Sequence, residues 1–249
     1  QKRFHNIKRV KATELYLQER VPNKITYSRE VIFESNNTKK SVPRVHTRNY
    51  STPFTDMPEC GLLSNGVYSV MVTNSGSGYS KKEDMDVYRF KEDVTLNESG
   101  MFFYIKDVRN EDIFSPTYQP TKVLGNDYRV SFALDKIEFK KNYNGFSTSL
   151  NIAVLEEDNG ELREIDITNN SGEDKIIEVT SYMEVTLANY GADAVHPAFS
   201  NLFINTEFIE NPDTLLANRR PRSKYGNKPW VMQKLLVIGG EDISATQYE

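Results

Sequence analysis

The sequence from residue 67 onward is a succession of short β-strand patterns separated by turn signals, and this succession limits the possible folds more than any other feature. Residues 67–73, 101–107 and 128–134 are rich in β-branched and aromatic side chains, which pack well on a pleated surface. Helices have little room between these patterns, and parallel strands cannot be joined without a long crossover. The sequence therefore predicts an all-β chain with antiparallel sheets.

The clearest hairpin signal is the pair Asn144-Gly145. It separates residues 136–143, where apolar and charged residues alternate, from the strand pattern of residues 146–154. Asn-Gly favours the two-residue turn with positive φ at both centres, so we predict a hairpin here. Further turns are predicted at Asn159-Gly160 and Ser171-Gly172, and further strands at residues 162–168, 175–187, 199–208 and 230–238.

So many strands joined mostly by short turns predict one large two-sheet antiparallel β-sandwich over residues 61–249. Residues 1–60 are less regular, with a short helix predicted near residues 13–20. Four prolines then interrupt the chain, at Pro22, Pro43, Pro53 and Pro58. We expect residues 1–60 to be an irregular segment that crosses the sandwich and packs on it.

The composition excludes several classes of protein. With 38% hydrophobic and 27% charged residues and a net charge of −4, the chain has the profile of a folded globular protein. No stretch approaches the roughly 18 apolar residues of a membrane helix, and the first residues lack the apolar core of a secretion signal. We expect no membrane contact by this segment. The single cysteine, Cys60, excludes an internal disulfide and fits a cytoplasmic location.

The charges are distributed unevenly along the chain. Residues 1–50 hold 12 Lys and Arg against 4 Asp and Glu. These basic residues are dispersed among apolar ones and form no run, so a solvated or domain-packing segment is the better interpretation. We expect no nucleic-acid partner.

The loop at residues 73–80 is the most informative one, because Gly76 and Gly78 allow a sharp turn or a close approach of backbone to a ligand. It lacks the spacing of a nucleotide-binding loop, so a tight hairpin loop and a ligand-contacting loop remain the two interpretations. Aromatic, acidic and basic residues follow, and such a mixture suits sugars, whose hydroxyls hydrogen-bond while their C–H faces stack on rings. These residues are Tyr79, Asp84, Asp86, Tyr88 and Arg89.

Catalytic and metal-binding patterns are lacking. His5, His46 and His196 have no metal-ligand spacing and no accompanying serine motif. The acidic residues 156–158 adjoin a turn signal and are best interpreted as solvated. The basic run at residues 219–224 allows phosphate binding, through its guanidinium groups, but a solvated or interface loop is the better interpretation. We therefore expect no catalytic residue and no metal site.

Several stretches, taken in order, resemble one enzyme family. They are LQERVP at 17–22, LLSNGVYSVMVT at 62–73, GSGYS at 76–80, FSPTYQP at 114–120, EVTSY at 178–182, HPAFS at 196–200, RRPR at 219–222 and QYE at 247–249. Together they resemble glycoside hydrolase family 94, formerly glycosyltransferase family 36. The resemblance is strongest to the branch with 1,2-β-oligoglucan phosphorylase and cyclic β-1,2-glucan synthase. Residues 81–84 depart from it, because relatives often show Arg and Trp there.

The resemblance implies an amino-terminal β-supersandwich of the galactose-mutarotase-like kind, a helical linker and an (α/α)6 barrel bearing an aspartate general acid. Only the supersandwich corresponds to the present sequence, so we expect the catalytic barrel to be absent and the chain alone to be inactive. The implied chemistry is inverting phosphorolysis of β-1,2-glucan to α-glucose 1-phosphate. Inorganic phosphate is then the co-substrate of the parent enzyme, and no other cofactor is implied.

The resemblance also implies partners and a site. In relatives the sandwich packs on the barrel and takes part in a dimer, so the expected partners are the barrel of the same parent chain, a second copy and a β-glucan oligosaccharide. The candidate substrate-binding residues shape the rim of the active site. They are Gly76, Gly78, Tyr79, Ser80, Asp86, Arg89, Ser115 and Gln119.

Three alternatives remain open. The first is the equivalent module of a cyclic β-1,2-glucan synthase. The second is a free-standing carbohydrate-binding domain, for which Trp230 is the single tryptophan available for stacking. The third is a purely structural assembly domain.

Overall fold

Sixteen β-strands, all paired antiparallel, form the framework of the part of the chain that the computed structural model describes. The described residues are 47–91, 98–210, 213–221, 223–224, 226–239 and 248, and they belong to a unit spanning Val45–Glu249. The helix predicted near residues 13–20 lies outside them, and the predicted boundary at residue 60 stays a prediction. The all-β, antiparallel prediction is confirmed.

Four sheets contain these strands. The strands are β1 (Arg48–Tyr50), β2 (Cys60–Ser64), β3 (Tyr68–Thr73), β4 (Gly78–Lys82), β5 (Met85–Tyr88), β6 (Phe102–Asp107), β7 (Asp112–Phe114), β8 (Asp127–Phe132), β9 (Ile137–Tyr143), β10 (Phe146–Val154), β11 (Glu161–Asn169), β12 (Ile177–Tyr182), β13 (Val185–Asn189), β14 (Ile204–Glu210), β15 (Asp213–Arg219) and β16 (Trp230–Gln233). Two sheets are five-stranded, with orders β1-β8-β9-β10-β11 and β13-β5-β4-β3-β2. Two are three-stranded, with orders β12-β6-β7 and β14-β15-β16.

The main core brings together inward-facing residues of the two five-stranded sheets. Val70 and Val72 of β3 belong to the same buried cluster as Val130, Phe139 and Ile152 of the other sheet. Their alternation with more exposed residues follows from the two-residue period of a strand. A smaller cluster of Ile105, Phe114 and Phe146 joins β6 and β7 to β10.

The hairpin predicted at Asn144-Gly145 is confirmed. The two residues have φ angles of 46° and 80°, and Tyr143 pairs directly with Phe146. Positive φ at both centres is the turn geometry that matches the twist of the flanking strands. The strands predicted at residues 67–73, 101–107, 128–134 and 162–168 are also confirmed, with ends shifted by one or two residues.

The single strand predicted at residues 175–187 is wrong, because the structure divides this run into β12 and β13. β12 pairs with β6 in one sheet, whereas β13 pairs with β5 in another. A register shift between Val185 and Ala188, and a φ of 46° at Leu187, accompany the change of partner. Partner choice is a tertiary effect that the local pattern does not contain.

Two short helices, α1 (Tyr190–Val195) and α2 (Pro197–Asn201), follow β13. The second of them replaces the first part of the strand predicted at residues 199–208, and β14 begins only at Ile204. The Asn189 side chain accepts a hydrogen bond from the Gly191 amide and caps α1, while Pro197 occupies the first turn of α2. Both are established helix-start signals. No helix among the described residues is long and apolar enough to cross a membrane.

The strand predicted at residues 230–238 is shorter than expected. β16 ends at Gln233, which forms the last pair with β15, opposite Leu215. Beyond that pair, residues 234–238 have no strand structure despite their apolar character.

Candidate functional site

The glycine loop between β3 and β4 is a buried hairpin loop. The Thr73 amide donates to the Ser77 carbonyl at 2.7 Å, and the Gly76 amide donates back to the Thr73 carbonyl at 2.9 Å. Gly76 has a φ of 103°, which favours glycine. At Gly78 a Cβ atom would overlap the Met71 carbonyl oxygen on the neighbouring strand. Both glycines are therefore required by backbone geometry.

The two predicted rim segments are in contact with each other. The Gln119 amide donates to the Ser75 carbonyl at 2.8 Å. A Cβ atom built on Gly76 would lie 2.7 Å from Oγ1 and Cγ2 of Thr117. Ser115 and Gln119 are buried, so the two segments support each other in the interior of the domain. Sugar contact by Gly76, Gly78, Ser115 and Gln119 stays a prediction.

Lys141 supports the same segment from β9. Its ammonium donates to the carbonyls of Ser115 at 2.9 Å and Thr117 at 3.3 Å, and also to that of Val123. The residue is only 1% exposed, and burial lowers its pKa to about 8. Sequence reasoning missed it, although the two-residue period from Ile137 places Lys141 on the inward face.

Ser80 faces the interior, where it joins a polar network between the two large sheets. Its hydroxyl is hydrogen-bonded to Tyr88 Oη at 2.9 Å and to Glu161 Oε2 at 3.0 Å, and the carboxylate can only accept. Arg163 contacts the same two groups, at 3.0 Å and 3.4 Å, and donates to the Met101 carbonyl. This network links β4 and β5 to β11, and it holds Ser80 in a structural position. Sugar contact by Ser80 stays a prediction.

Tyr79 and Asp86 lie on the opposite face of the same sheet. Lys81 connects them, because its Nζ atom lies 4.6 Å from the Tyr79 ring centroid and 3.2 Å from Asp86 Oδ1. Tyr79 also meets the ring of Phe90 edge-on at 5.3 Å. Burial raises the pKa of Asp86, although Lys81 opposes the shift. A sugar-binding role for these two residues stays a prediction.

Arg89 is the centre of the strongest charge cluster near the predicted residues. It donates to both carboxylate oxygens of Asp193, at 2.8 Å and 3.1 Å, and it also pairs with Glu184. It reaches α2 through the Pro197 carbonyl at 3.0 Å and Asn201 Oδ1 at 2.6 Å. The guanidinium therefore ties the end of β5 to both helices, and the bidentate geometry is its strongest mode of carboxylate binding.

A small open cleft lies beside Arg89. Its volume is about 170 Å³, and it is lined by Arg89, Lys91, Glu98, Ser99, Gly100, Phe102, Tyr182 and Glu184. Ser99 connects this cleft to the glycine loop, because its carbonyl accepts from the Gly78 amide at 2.9 Å. Of the eight predicted site residues, Arg89 is the one that lines the cleft. The cleft offers a charged group, an aromatic ring and hydroxyls, which suits a polar ligand.

The charges of this cluster favour binding over acid catalysis. Burial disfavours ionisation of Asp193, but the hydrogen bonds from Arg89 and Ser200 hold the pKa of Asp193 below its usual value. Glycoside cleavage needs a carboxyl group that is protonated when the bond breaks. Because Arg89 keeps Asp193 ionised, this carboxyl is unsuited to that role. Among the described residues, no group of three His, Cys, Asp or Glu side chains is arranged to hold a metal ion.

The basic run, predicted either to bind phosphate or to be a solvated or interface loop, contains a buried arginine. Arg219 donates to the Thr186 carbonyl at 2.9 Å and to Ser200 Oγ at 3.1 Å. Its guanidinium also lies 5.4 Å from the centroid of the Phe203 ring. Arg219 therefore joins β15 to β13 and α2, a role that the sequence pattern did not indicate.

Comparisons with known proteins place these features in a family. The family model described as "Glycosyl hydrolase 94, supersandwich domain" matches residues 44–249. This description agrees with the antiparallel architecture and confirms the predicted β-supersandwich.

Three relatives carry names that describe their activity. Cyclic beta-(1,2)-glucan synthase NdvB of Rhizobium meliloti (strain 1021) is 33% identical over 222 residues, which are 88% of this chain and 8% of that protein. N,N'-diacetylchitobiose phosphorylase of Vibrio furnissii is 22% identical over 63% of this chain and 20% of its own length. Solabiose phosphorylase of Paenibacillus borealis is 22% identical over 49% of this chain and 16% of its own length. The matched part is thus a small fraction of each relative.

Proposed function

Because the chain belongs to glycoside hydrolase family 94, as its supersandwich domain, we propose that it is a non-catalytic domain of an enzyme that phosphorolyses β-1,2-glucan to α-glucose 1-phosphate. In this proposal the domain shapes the entrance to the active site and supports a homodimer. A barrel elsewhere in the same parent chain supplies the catalytic acid, and inorganic phosphate is the co-substrate. The parent enzyme acts in the cytoplasm.

The main observation behind this proposal is that the carboxylates around Arg89 are paired with its guanidinium. The Arg89 guanidinium binds Asp193 through two oxygens and pairs with Glu184, while Glu98, the other acidic residue of the cleft, pairs with Lys122 at 2.8 Å. The acidic groups at the cleft are therefore each paired with a cation. Such groups orient and bind a ligand but do not release a proton to a leaving sugar. This supports a binding and positioning role for the domain.

The substrate class rests on the relatives. The relative that is 33% identical over 88% of the chain is named for β-(1,2)-glucan, whereas two relatives at 22% identity are named as phosphorylases. We take the β-1,2 linkage from the glucan synthase and the phosphorolysis reaction from the two phosphorylases. Fold alone does not determine substrate, so both parts need a direct measurement.

An assay with two proteins tests the proposal. The 249-residue chain and the parent enzyme are each incubated with β-1,2-glucooligosaccharides and inorganic phosphate, and α-glucose 1-phosphate is quantified. We expect product from the parent enzyme alone. Product from the 249-residue chain would place the catalytic acid within it, and a parent enzyme without activity on β-1,2-glucan would overturn the substrate class.

A second candidate is a module of a cyclic β-1,2-glucan synthase, and the identity to the relative of that name favours it. The two candidates differ in product. A synthase accumulates a cyclic glucan without consuming phosphate, whereas a phosphorylase shortens linear chains as phosphate is consumed. Mass spectrometry of the glucan product, with and without phosphate, separates them.

A further inference from the structure

The outward face of the sheet β14-β15-β16 carries a row of three side chains that no role described above uses. Trp230 of β16 is paired directly with Asn218 of β15, and Asn218 is paired directly with Asn205 of β14. Directly paired residues of antiparallel strands point to the same face. The row therefore crosses the whole sheet, over roughly 10 Å between the outer strands.

The opposite face of this sheet is the one that packs on the rest of the domain. There, the Gln233 amide donates to Ser181 Oγ at 2.6 Å, and Arg219 donates to the Thr186 carbonyl at 2.9 Å. Val231 packs against the main core. Because neighbouring residues of a strand alternate between faces, Trp230 and Met232 point away from the core.

Trp230 is held in place and yet remains accessible. It is 49% exposed, although it belongs to a paired strand. The Lys228 ammonium lies 4.5 Å from the centroid of its ring, a cation–π contact that orients the indole. The ammonium adjoins the ring as a hydrogen-bond donor, and the exposure of Trp230 leaves ring surface open to a ligand.

Polar side chains lie near the Trp230 ring on the same face of the sheet. Asn205 is exposed, and its amide nitrogen lies 3.5 Å from Oδ1 of Asn218, which is only 5% exposed, so the buried amide orients the exposed one. Two residues further along each strand, the same face carries Met232, Leu216 and the exposed Glu207. Met232 is 67% exposed and extends the apolar surface next to the ring.

We propose that this row is a glycan-binding surface, separate from the Arg89 cleft, that holds a β-glucan chain against Trp230. An apolar ring face flanked by an exposed amide, a carboxylate and an ammonium matches a ligand whose C–H faces stack while its hydroxyls donate and accept hydrogen bonds. Exposed Trp and Met side chains also suit a protein partner, but the exposed Asn205 and Glu207 beside them favour a ligand rich in hydroxyl groups. The choice of β-1,2-glucan as ligand rests on the proposed function.

The mechanism of binding follows from the row. One sugar unit stacks on the open surface of Trp230, and its neighbour lies over the exposed Asn205, whose amide is held by the buried Asn218. Glu207 and Lys228 contact hydroxyls from either side. The surface would thereby retain a long polymeric substrate on the parent enzyme while its end is processed elsewhere.

The chain contains a single tryptophan, so its fluorescence reports on Trp230 alone. The 249-residue chain is titrated with linear β-1,2-glucooligosaccharides, and we expect a saturable change in tryptophan emission. Calorimetry then compares variants: Trp230→Ala should weaken binding about tenfold or more, whereas Trp230→Phe, which keeps a ring, should stay within about threefold of the wild type. Tyr190→Ala, which removes an exposed aromatic ring outside the row, is the matched control and should bind normally.

The outcomes separate this surface from the substrate assignment. If oligosaccharides of another linkage bind at Trp230 and β-1,2-glucan does not, the glycan-binding surface stands and the proposed linkage is wrong. If no glycan changes the emission, or if Trp230→Ala binds as tightly as the wild type, the surface is not a glycan site. Activity of the parent enzyme on short substrates tests the proposed function independently of either result.

Discussion

Gly76 lies so close to Thr117 that a single added methyl group would reach 2.7 Å from the Thr117 Oγ1 and Cγ2 atoms. This contact joins the loop after β3 to the segment after β7. The sequence predicts that both segments shape the rim of a substrate site, so their mutual support is the first property to test.

We expect Gly76→Ala to destabilise the domain by about 3 kcal/mol or more, because it adds both a strained φ and an overpacked contact. Gly66→Ala is the matched control. Gly66 has a φ of 95°, but no atom lies within 4 Å of the position that its added methyl group would take, so only backbone strain applies. Urea denaturation of both variants measures the difference. Equal losses for the two variants would show that the Thr117 contact is unimportant.

Lys141 should make stability depend on alkaline pH. Its pKa of about 8 in the folded chain lies below the unfolded value of about 10.4, so the unfolded chain binds more protons between these limits. Stability from this residue therefore increases as the pH rises through about 8 toward about 10. The gap in unfolding free energy between the wild type and Lys141→Met should widen over that range, and a constant gap would contradict the assignment.

At neutral pH, Lys141→Met should itself cost about 2–3 kcal/mol, because three buried carbonyls lose their donor. Lys140→Met, on the exposed face of the same strand, is the matched control and should change stability little. Thermal denaturation of the two variants measures this contrast. A similar effect from both would mean that the three carbonyls find other partners.

Loss of Arg89 should destabilise the domain by about 3 kcal/mol, since it leaves the largely buried Asp193 carboxylate without its cation. The lowered pKa of Asp193 contributes stability above its ordinary pKa, and that contribution is lost as the pH falls through the folded value. The penalty of Arg89→Ala should accordingly be smaller at about pH 3 than at about pH 7. Adding Asp193→Asn should recover part of the loss at neutral pH, and no recovery would show that the pair is not coupled.

Side chains of the cleft should affect substrate affinity in the parent enzyme. We expect Tyr182→Ala and Lys91→Ala to raise KM for β-1,2-glucooligosaccharides while kcat stays within about twofold, because the cleft binds without donating a proton. Lys136→Ala, in the exposed turn between β8 and β9, serves as the control. Steady-state kinetics at varied oligosaccharide concentration measures KM and kcat for each variant. A decrease in kcat with unchanged KM would contradict a binding role.

The local fold was largely predictable because the strands carry their own signals. The Asn144-Gly145 turn, and the alternation of buried and more exposed residues around Phe139 and Leu150, can be predicted from neighbouring residues alone. The run at residues 175–187 was not divided correctly, because its two halves have similar β propensity and differ only in the distant strands that they meet. Pro197 is a residue type that favours the first turn of a helix, such as α2. The apolar residues after it nevertheless led to the prediction of a strand.

The site was predictable in part. Sequence reasoning selected Arg89, which does line a cleft, because it belongs to the mixture of aromatic, acidic and basic residues that follows the glycine loop. It missed Glu184 and Asp193, which lie about one hundred positions away in the chain and meet Arg89 only through folding. The positions of Ser80 and Tyr79 on opposite faces follow from strand period, but which face is interior depends on the packing of β11.

Only Met183 and Glu184 separate β12 from β13, so one short peptide segment belongs to two different sheets. A force that pulls these sheets apart would load that segment directly, with Glu184 anchored to Arg89 beside it. We therefore expect unfolding of one sheet to be transmitted to the other through this segment.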